Sequence, residues 1–143
     1  MIVLDTNVIS ELMRPRADRA VLAWIDEQPV DEIHLTAVTA AELRYGAARL
    51  PDGQRRADLM NRVRLTIEED FAGRILPFDD EAAAHYADIV VDHERRGMSI
   101  SMADAQIAAI CRSHAADLAT RNTKDFVHTG INLIDPWHPV AST

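Results

Sequence analysis

The opening stretch Ile2-Val3-Leu4-Asp5-Thr6-Asn7-Val8-Ile9-Ser10-Glu11-Leu12 decides how the rest of the chain is read. Its three apolar residues make a short run suited to a buried strand, and Asp5-Thr6-Asn7 offers good helix caps directly after it. The predicted helix runs through Leu12 and stops before Pro15. The same alternation returns down the chain. Val21, Leu22 and Ile25 stand at helical spacing within residues 19–27, and Ile33-His34-Leu35 reads as a second strand. Thr36 caps a helix predicted to reach about Leu50, with Ala40, Leu43, Ala47 and Leu50 inward. After the Pro51-Asp52-Gly53 turn, Leu59, Val63 and Ile67 mark a helix over residues 55–70.

The second half continues the rhythm. Residues 74–78 form a strand that ends at Pro77, and Asp79 caps a long helix with Ala82, Tyr86, Ile89, Val90 and His93 on one face. Gly97 closes that helix, and Ser101 opens another with Ile107, Ile110 and Cys111 inward. Leu118-Ala119-Thr120 and Asn132-Leu133-Ile134 are the last strands. Short apolar strands alternating with amphipathic helices predict an α/β fold, an open parallel sheet of about five strands flanked by helices on both faces. A length of 143 residues predicts one domain over 1–143.

Composition narrows the function. The net charge is −8, against the grain of a general polyanion binder, yet fourteen of the fifteen basic residues are arginine, which grips phosphate bidentately. No apolar run reaches the ~20 residues of a membrane span, the N-terminus lacks a signal-peptide pattern, and a lone cysteine cannot form an internal disulfide. The expectation is a cytoplasmic protein. The six histidines show no metal-binding spacing, and there is no glycine-rich phosphate loop or nucleophile elbow.

In open parallel sheets, ligands sit beyond the carboxyl ends of the strands. Asp5 follows the first strand, and Asn122 and Asp125 follow Leu118-Ala119-Thr120. Glu42 lies two turns into its helix and off the apolar stripe, while Asp104 lies in the first turn of its own. Two carboxylates ~4 Å apart repel by roughly 4 kcal/mol at an effective dielectric of 20, so such a cluster calls for a divalent cation or raised pKa values. All-oxygen ligands favour Mg²⁺ or Mn²⁺ over zinc. Each acid also has a plain structural role available. Asp5 can cap the helix after it, and Thr39-x-x-Glu42 and Ser101-x-x-Asp104 both match the capping-box pattern.

Val3-Leu4-Asp5-Thr6-Asn7-Val8-Ile9-Ser10-Glu11 resembles the opening of PIN-domain ribonucleases, in particular the toxins of VapBC and FitAB toxin–antitoxin pairs. The resemblance continues through Thr39-Ala40-Ala41-Glu42-Leu43-Arg44-Tyr45-Gly46, Ala103-Asp104-Ala105-Gln106-Ile107-Ala108-Ala109 and Ala119-Thr120-Arg121-Asn122-Thr123-Lys124-Asp125-Phe126. Residues 71–79 and Ile134-Asp135-Pro136-Trp137-His138 look like the FitB branch. The resemblance implies a PIN-domain fold and a metal-dependent endoribonuclease with Asp5, Glu42 and Asp104 holding Mg²⁺ or Mn²⁺. The fourth acidic position falls at Asn122 or at Asp125, and Thr6 and Thr120 become supporting polar residues. It further implies a homodimer and a cognate VapB/FitA-like antitoxin, whose C-terminal segment places an arginine in the acidic pocket and which binds operator DNA. RNA would be met at the rim by Arg14, Arg16, Arg44 and Arg121. The alternative is a catalytically weak scaffold that acts with its antitoxin in operator autoregulation. A phosphatase that forms an aspartyl-phosphate is disfavoured, because Asn7 stands where its general acid would be.

Overall fold

The computed structural model describes residues 1–140, so the last three residues of the expected 1–143 unit lie outside the described residues. The strands are β1 (Ile2–Leu4), β2 (Ile33–Thr36), β3 (Ile75–Leu76), β4 (Asp117–Ala119) and β5 (Leu133–Ile134). The helices are α1 (Thr6–Leu12), α2 (Arg19–Asp26), α3 (Ala37–Ala48), α4 (Gln54–Leu65), α5 (Asp80–Arg95) and α6 (Met102–Ser113). All strand pairings are parallel, in the order β3-β2-β1-β4-β5. The chain first builds outward from β1 on one side and later returns to add β4 on the other. Beyond the carboxyl ends of β1 and β4 there is therefore a crevice where the connections diverge, the usual ligand position in open parallel sheets.

Both faces of the sheet are covered. Successive strand residues point to opposite faces, so Val3 and Leu118 enter the core beneath α5 and α6, while Leu4, Leu35 and Ala119 enter the core formed with α1–α4. That two-sided burial is why the strands read as continuous apolar runs. α6 is buried over most of its second half, from Ile107 to Cys111, because it lies between the sheet and α5. Burial, with a lesser push from the Asp5 charge, drives the Cys111 thiol far up, so this cysteine is an inert packing residue.

Two details depart from the expected pattern. Leu22 is 40% exposed, and Trp24 at 7% takes its place in the core. Val21, Trp24 and Ile25 are spaced i, i+3, i+4 and share a face, whereas Leu22 is turned about 100° from Val21. The helix expected over residues 55–70 is also not uniform. α4 ends at Leu65 and continues as a π-helical turn, Thr66–Asp70, in which the Phe71 N–H reaches the Thr66 carbonyl at 3.0 Å.

Two helices end in the same hydrogen-bonded motif with different residues at its left-handed position. After α5, the Met98 N–H bonds the His93 carbonyl at 2.8 Å, the Gly97 N–H bonds the Glu94 carbonyl at 3.0 Å, and Gly97 has φ +69°. After α6, the Ala116 N–H bonds the Cys111 carbonyl at 2.9 Å and the Ala115 N–H bonds the Arg112 carbonyl at 3.2 Å, but Ala115 holds φ +50°. The left-handed conformation costs a non-glycine residue about 1–2 kcal/mol. Gly97→Ala should therefore destabilise by about 1 kcal/mol, since a Cβ there meets nothing within 4 Å and only backbone strain acts. Ala115→Gly should change stability in the opposite direction by roughly 0.5–1 kcal/mol. Urea titrations of the two variants check both signs.

Candidate functional site

Asp5 sits where β1 turns into α1. Its N–H continues the sheet by donating to the Ala119 carbonyl at 2.9 Å, and its side chain caps α1 by accepting from the Thr6 N–H at 2.8 Å. The other carboxylate oxygen accepts from the Thr120 hydroxyl at 2.8 Å. Thr120 Oγ1 is used on every side, because it also accepts from the Asn122 N–H at 3.1 Å and from Asn7 Nδ2 at 3.3 Å. Asn7 Oδ1 in turn accepts from the Arg121 N–H at 3.2 Å. Asp5, Asn7 and Thr120 thus lock the start of α1 to the turn after β4. Asn7 is a positioning residue that local sequence reading passes over, since two of its partners, Thr120 and Arg121, lie more than a hundred residues away.

Glu42 and Asp104 complete the acidic wall. Thr36 caps α3 by accepting from the Thr39 N–H at 3.0 Å, which leaves Glu42 free of any capping role. Glu42 Oε1 accepts instead from the Thr6 hydroxyl at 2.7 Å, and Thr6 Oγ1 lies 3.1 Å from Thr39 Oγ1. Ser101 caps α6 by accepting from the Asp104 N–H at 3.1 Å. Among the described residues, the Asp104 carboxylate accepts no backbone N–H in return, so only half of the capping box forms.

An open polar cavity of about 540 Å³ collects these groups: Asp5, Glu42, Asp104 and Asn122 line it, together with Thr6, Asn7, Ser10, Glu11, Arg14, Arg121 and Trp137. Asp125 does not line it, but its charge reaches both Asp5 and Asp104. Of the four rim arginines, Arg14 and Arg121 face the cavity, whereas Arg16 and Arg44 do not line it. Arg44 leans toward Glu68 at 3.8 Å. Arg14 pairs at 3.2 Å with the buried Glu11, which also accepts from the Asp18 N–H, and the Arg121 guanidinium lies 4.9 Å from the centre of the Trp137 ring. Glu11 and Trp137 belong to the site without having stood out among the candidates. Glu11 takes its role from its neighbours Arg14 and Asp18, and Trp137 takes its role from Arg121.

Electrostatics mark this cavity. Burial is the largest influence on Asp5 and pushes its carboxyl above the usual range; the bonds from Thr120 and the Thr6 N–H pull it back, and the charges of Glu42 and Asp125 push it up again. Asp104 is raised by burial first and then by Asp5, with Ser101 opposing and Asp125 and Glu42 adding to the rise. Among the described residues, no Arg, Lys or His forms an ion pair with Asp5, Glu42 or Asp104. The acids are close enough to disturb one another and have no internal counterion.

The donor set suits a hard divalent cation, because every candidate ligand is an oxygen. Among the described residues, no three His, Cys, Asp or Glu side chains converge tightly enough to cage an ion.

Comparison with known proteins agrees with this architecture. The family model described as PIN domain matches residues 2–132. The chain is 48% identical to the VapC ribonuclease Y4jK of Sinorhizobium fredii, over 97% of this chain and 99% of that protein. It is 44% identical to toxin FitB of Neisseria gonorrhoeae, over 96% and 99% of the respective lengths. A solved structure of FitAB bound to an IR36 DNA fragment contains a chain with 41% identity that superposes with a TM-score of 0.92, each chain covered in full. A five-stranded parallel sheet, acids at its carboxyl edge and likeness over nearly the whole length together place this chain in the PIN-domain family, among the VapC and FitB toxins.

Proposed function

We propose that this chain is the toxin of a type II toxin–antitoxin pair and a Mg²⁺- or Mn²⁺-dependent endoribonuclease, acting as a single domain over 1–143. The observation that carries the reading is the acidic cavity itself: Asp5, Glu42 and Asp104 share it without a basic partner, and Asp5 and Asp104 are both pushed above the usual carboxylate range. Asp5, Glu42 and Asp104 would hold the metal, Asn122 would offer a neutral oxygen from the same wall, and Asp125 would lend charge from behind. Once bound, the ion supplies a clamp on phosphate oxygens and an activated water.

The protein's own groups then do the positioning. Thr120 and Thr6 hold Asp5 and Glu42 in fixed rotamers through hydroxyl bonds, so the carboxylates are set before substrate arrives. Arg14 and Arg121 offer donors to the phosphates on either side of the cut. Water attacks the phosphodiester, and the strand separates into 5′-phosphate and 3′-hydroxyl ends. The acidic cavity also suits an arginine from a VapB/FitA-like antitoxin, which would block the metal position and bring the complex to operator DNA. A homodimer in the cytoplasm is part of the same proposal. Among the described residues, no helix is long and apolar enough to cross a membrane.

Cleavage of a mixed RNA pool by antitoxin-free protein tests the reading. Cutting should require Mg²⁺ or Mn²⁺ and stop in EDTA. Asp104→Asn should lower the rate by about a hundredfold or more without lowering the melting temperature, because no backbone N–H among the described residues bonds the carboxylate. Metal-dependent cutting that survives this change would remove Asp104 from the site, and an absence of metal-dependent cutting would remove the nuclease.

A further inference from the structure

A second cavity, of about 300 Å³, opens on the other side of Asp104. Asp104 lines both cavities, so the two adjoin. The floor of the second is His93, which is only 3% exposed. Its Nδ1 lies 2.8 Å from the Ile89 carbonyl of its own helix. A carbonyl only accepts, so Nδ1 carries a proton, and in that tautomer Nε2 is the acceptor. Nδ1 is turned back onto α5, His93 lines the cavity, and its Nε2 has no hydrogen-bond partner among the described residues. Nor is this nitrogen sealed in: the one fully enclosed unpartnered side-chain atom among the described residues is His85 Nδ1.

The walls have a matching chemistry. Met98, Ile100 and Val127 are apolar, Ser99, Ser101, Asp104 and Asp125 bring hydroxyls and carboxylates, and the exposed His128 ring stands 6.4 Å from the His93 ring at 77°. Lys124, the only lysine in the chain, lies at the edge. Apolar side chains, an aromatic ring face, a buried ring nitrogen and a lysine, with carboxylates and hydroxyls between them, offer a flat heterocycle both a stacking surface and acceptors for its N–H edge. Unstacked RNA bases are recognised in that way, by stacking on aromatic rings and by hydrogen bonds to their edges.

We propose that this cavity seats one nucleobase of the RNA strand, next to the phosphodiester held at the acidic cavity, with His93 Nε2 accepting from an amino or ring N–H of the base. The proposal rests on the nuclease reading and names where that enzyme reads sequence. His93 and His128 are then specificity residues, and Lys124 grips the phosphate of the same nucleotide.

Two variants test it. His93→Asn keeps a donor to the Ile89 carbonyl and deletes the Nε2 edge, while His128→Ala removes an exposed ring and leaves the core untouched. Ends produced from a mixed RNA pool are sequenced for wild type and both variants, with melting temperatures measured alongside. The base preference at one position beside the cut should fall about tenfold in each variant. Unchanged preferences in folded variants overturn the proposal. Should wild type cut nothing, binding decides independently of the nuclease reading. In the Asp5→Asn background, the fluorescence anisotropy of labelled single-stranded RNA octamers is compared with octamers carrying one abasic sugar. Loss of about tenfold in affinity on His128→Ala, confined to the base-bearing strand, supports the base site; equal affinities overturn it.

Discussion

Asp5→Asn should abolish RNA cleavage, by about a thousandfold or more, while leaving the protein at least as stable as before. The two expectations separate because the proposed metal role of Asp5 and its observed role as a cap make different demands. As a helix cap it needs only an oxygen to accept the Thr6 N–H at 2.8 Å, and asparagine caps as well as aspartate. As a metal ligand it needs the negative charge, which asparagine lacks. Burial already raises the Asp5 carboxyl above its ordinary value, and the charges of Glu42 and Asp125 push the same way. A carboxyl raised on folding holds its proton more tightly in the native state, so metal-free stability falls as pH climbs from the unfolded value, about 4, through the raised native one. Asp104 adds to the same decline. Asp5→Asn removes the contribution of one site, so its stability should depend less steeply on pH in that window. Adding metal at neutral pH should do for wild type what acid does. At a hundred times its dissociation constant the ion stabilises by about 2.7 kcal/mol, roughly 8 °C in melting temperature, and most of this gain should vanish in the variant. Melting curves with and without Mg²⁺ at pH 5 and pH 7.5 decide it. A variant that still cuts RNA, or that gains as much from metal as wild type, would show that Asp5 is only a cap.

Phe126→Ala should be the most damaging change away from the acids, at about 3–5 kcal/mol. Phe126 is 1% exposed and is among the largest fully buried side chains. It closes the short 3₁₀ turn Thr123–Phe126, which follows Asn122, and it packs in the core beneath α5 and α6. The ring therefore anchors the loop that carries Asn122, Lys124 and Asp125. Emptying its place should also loosen that loop and weaken cleavage beyond the loss of folded protein. Urea unfolding gives the first effect, and cleavage rates at a temperature where the variant is fully folded give the second. A loss under about 1 kcal/mol would mean that the loop is held by its hydrogen bonds alone.

The parts of this molecule that are legible in its sequence are those written locally. The run Ile2-Val3-Leu4 followed by Asp5, the Thr36, Asp79 and Ser101 caps and the glycine at 97 each announce themselves within a few residues, and the structure has them as read. Leu22 misled because three apolar residues within one turn do not all share a face. The π-helical turn at Thr66–Asp70 has no local mark in the sequence. At the site, the acids stood out by their positions after strands and in first turns, whereas Asn7 and Glu11 did not. Asparagine and glutamate in a helix look like ordinary surface, and only the partners brought in from β4 and Asp18 give them a role. The choice between Asn122 and Asp125 was likewise beyond local reading, because it depends on how a tight turn leaves β4. The structure lines the acidic cavity with Asn122 and places Asp125 on the adjoining one.

The bond from Thr120 to Asp5 spans 115 residues of a 143-residue chain. At about 5–20 residues per second, the ribosome needs several seconds to travel from one partner to the other. Until the end of that interval, the first strand has no complete β4 to lie against, and the Asp5 carboxylate lacks its hydroxyl partner. A nascent chain is thus unarmed until nearly all of it has emerged, and an antitoxin made in the meantime has time to reach it before the blade is assembled.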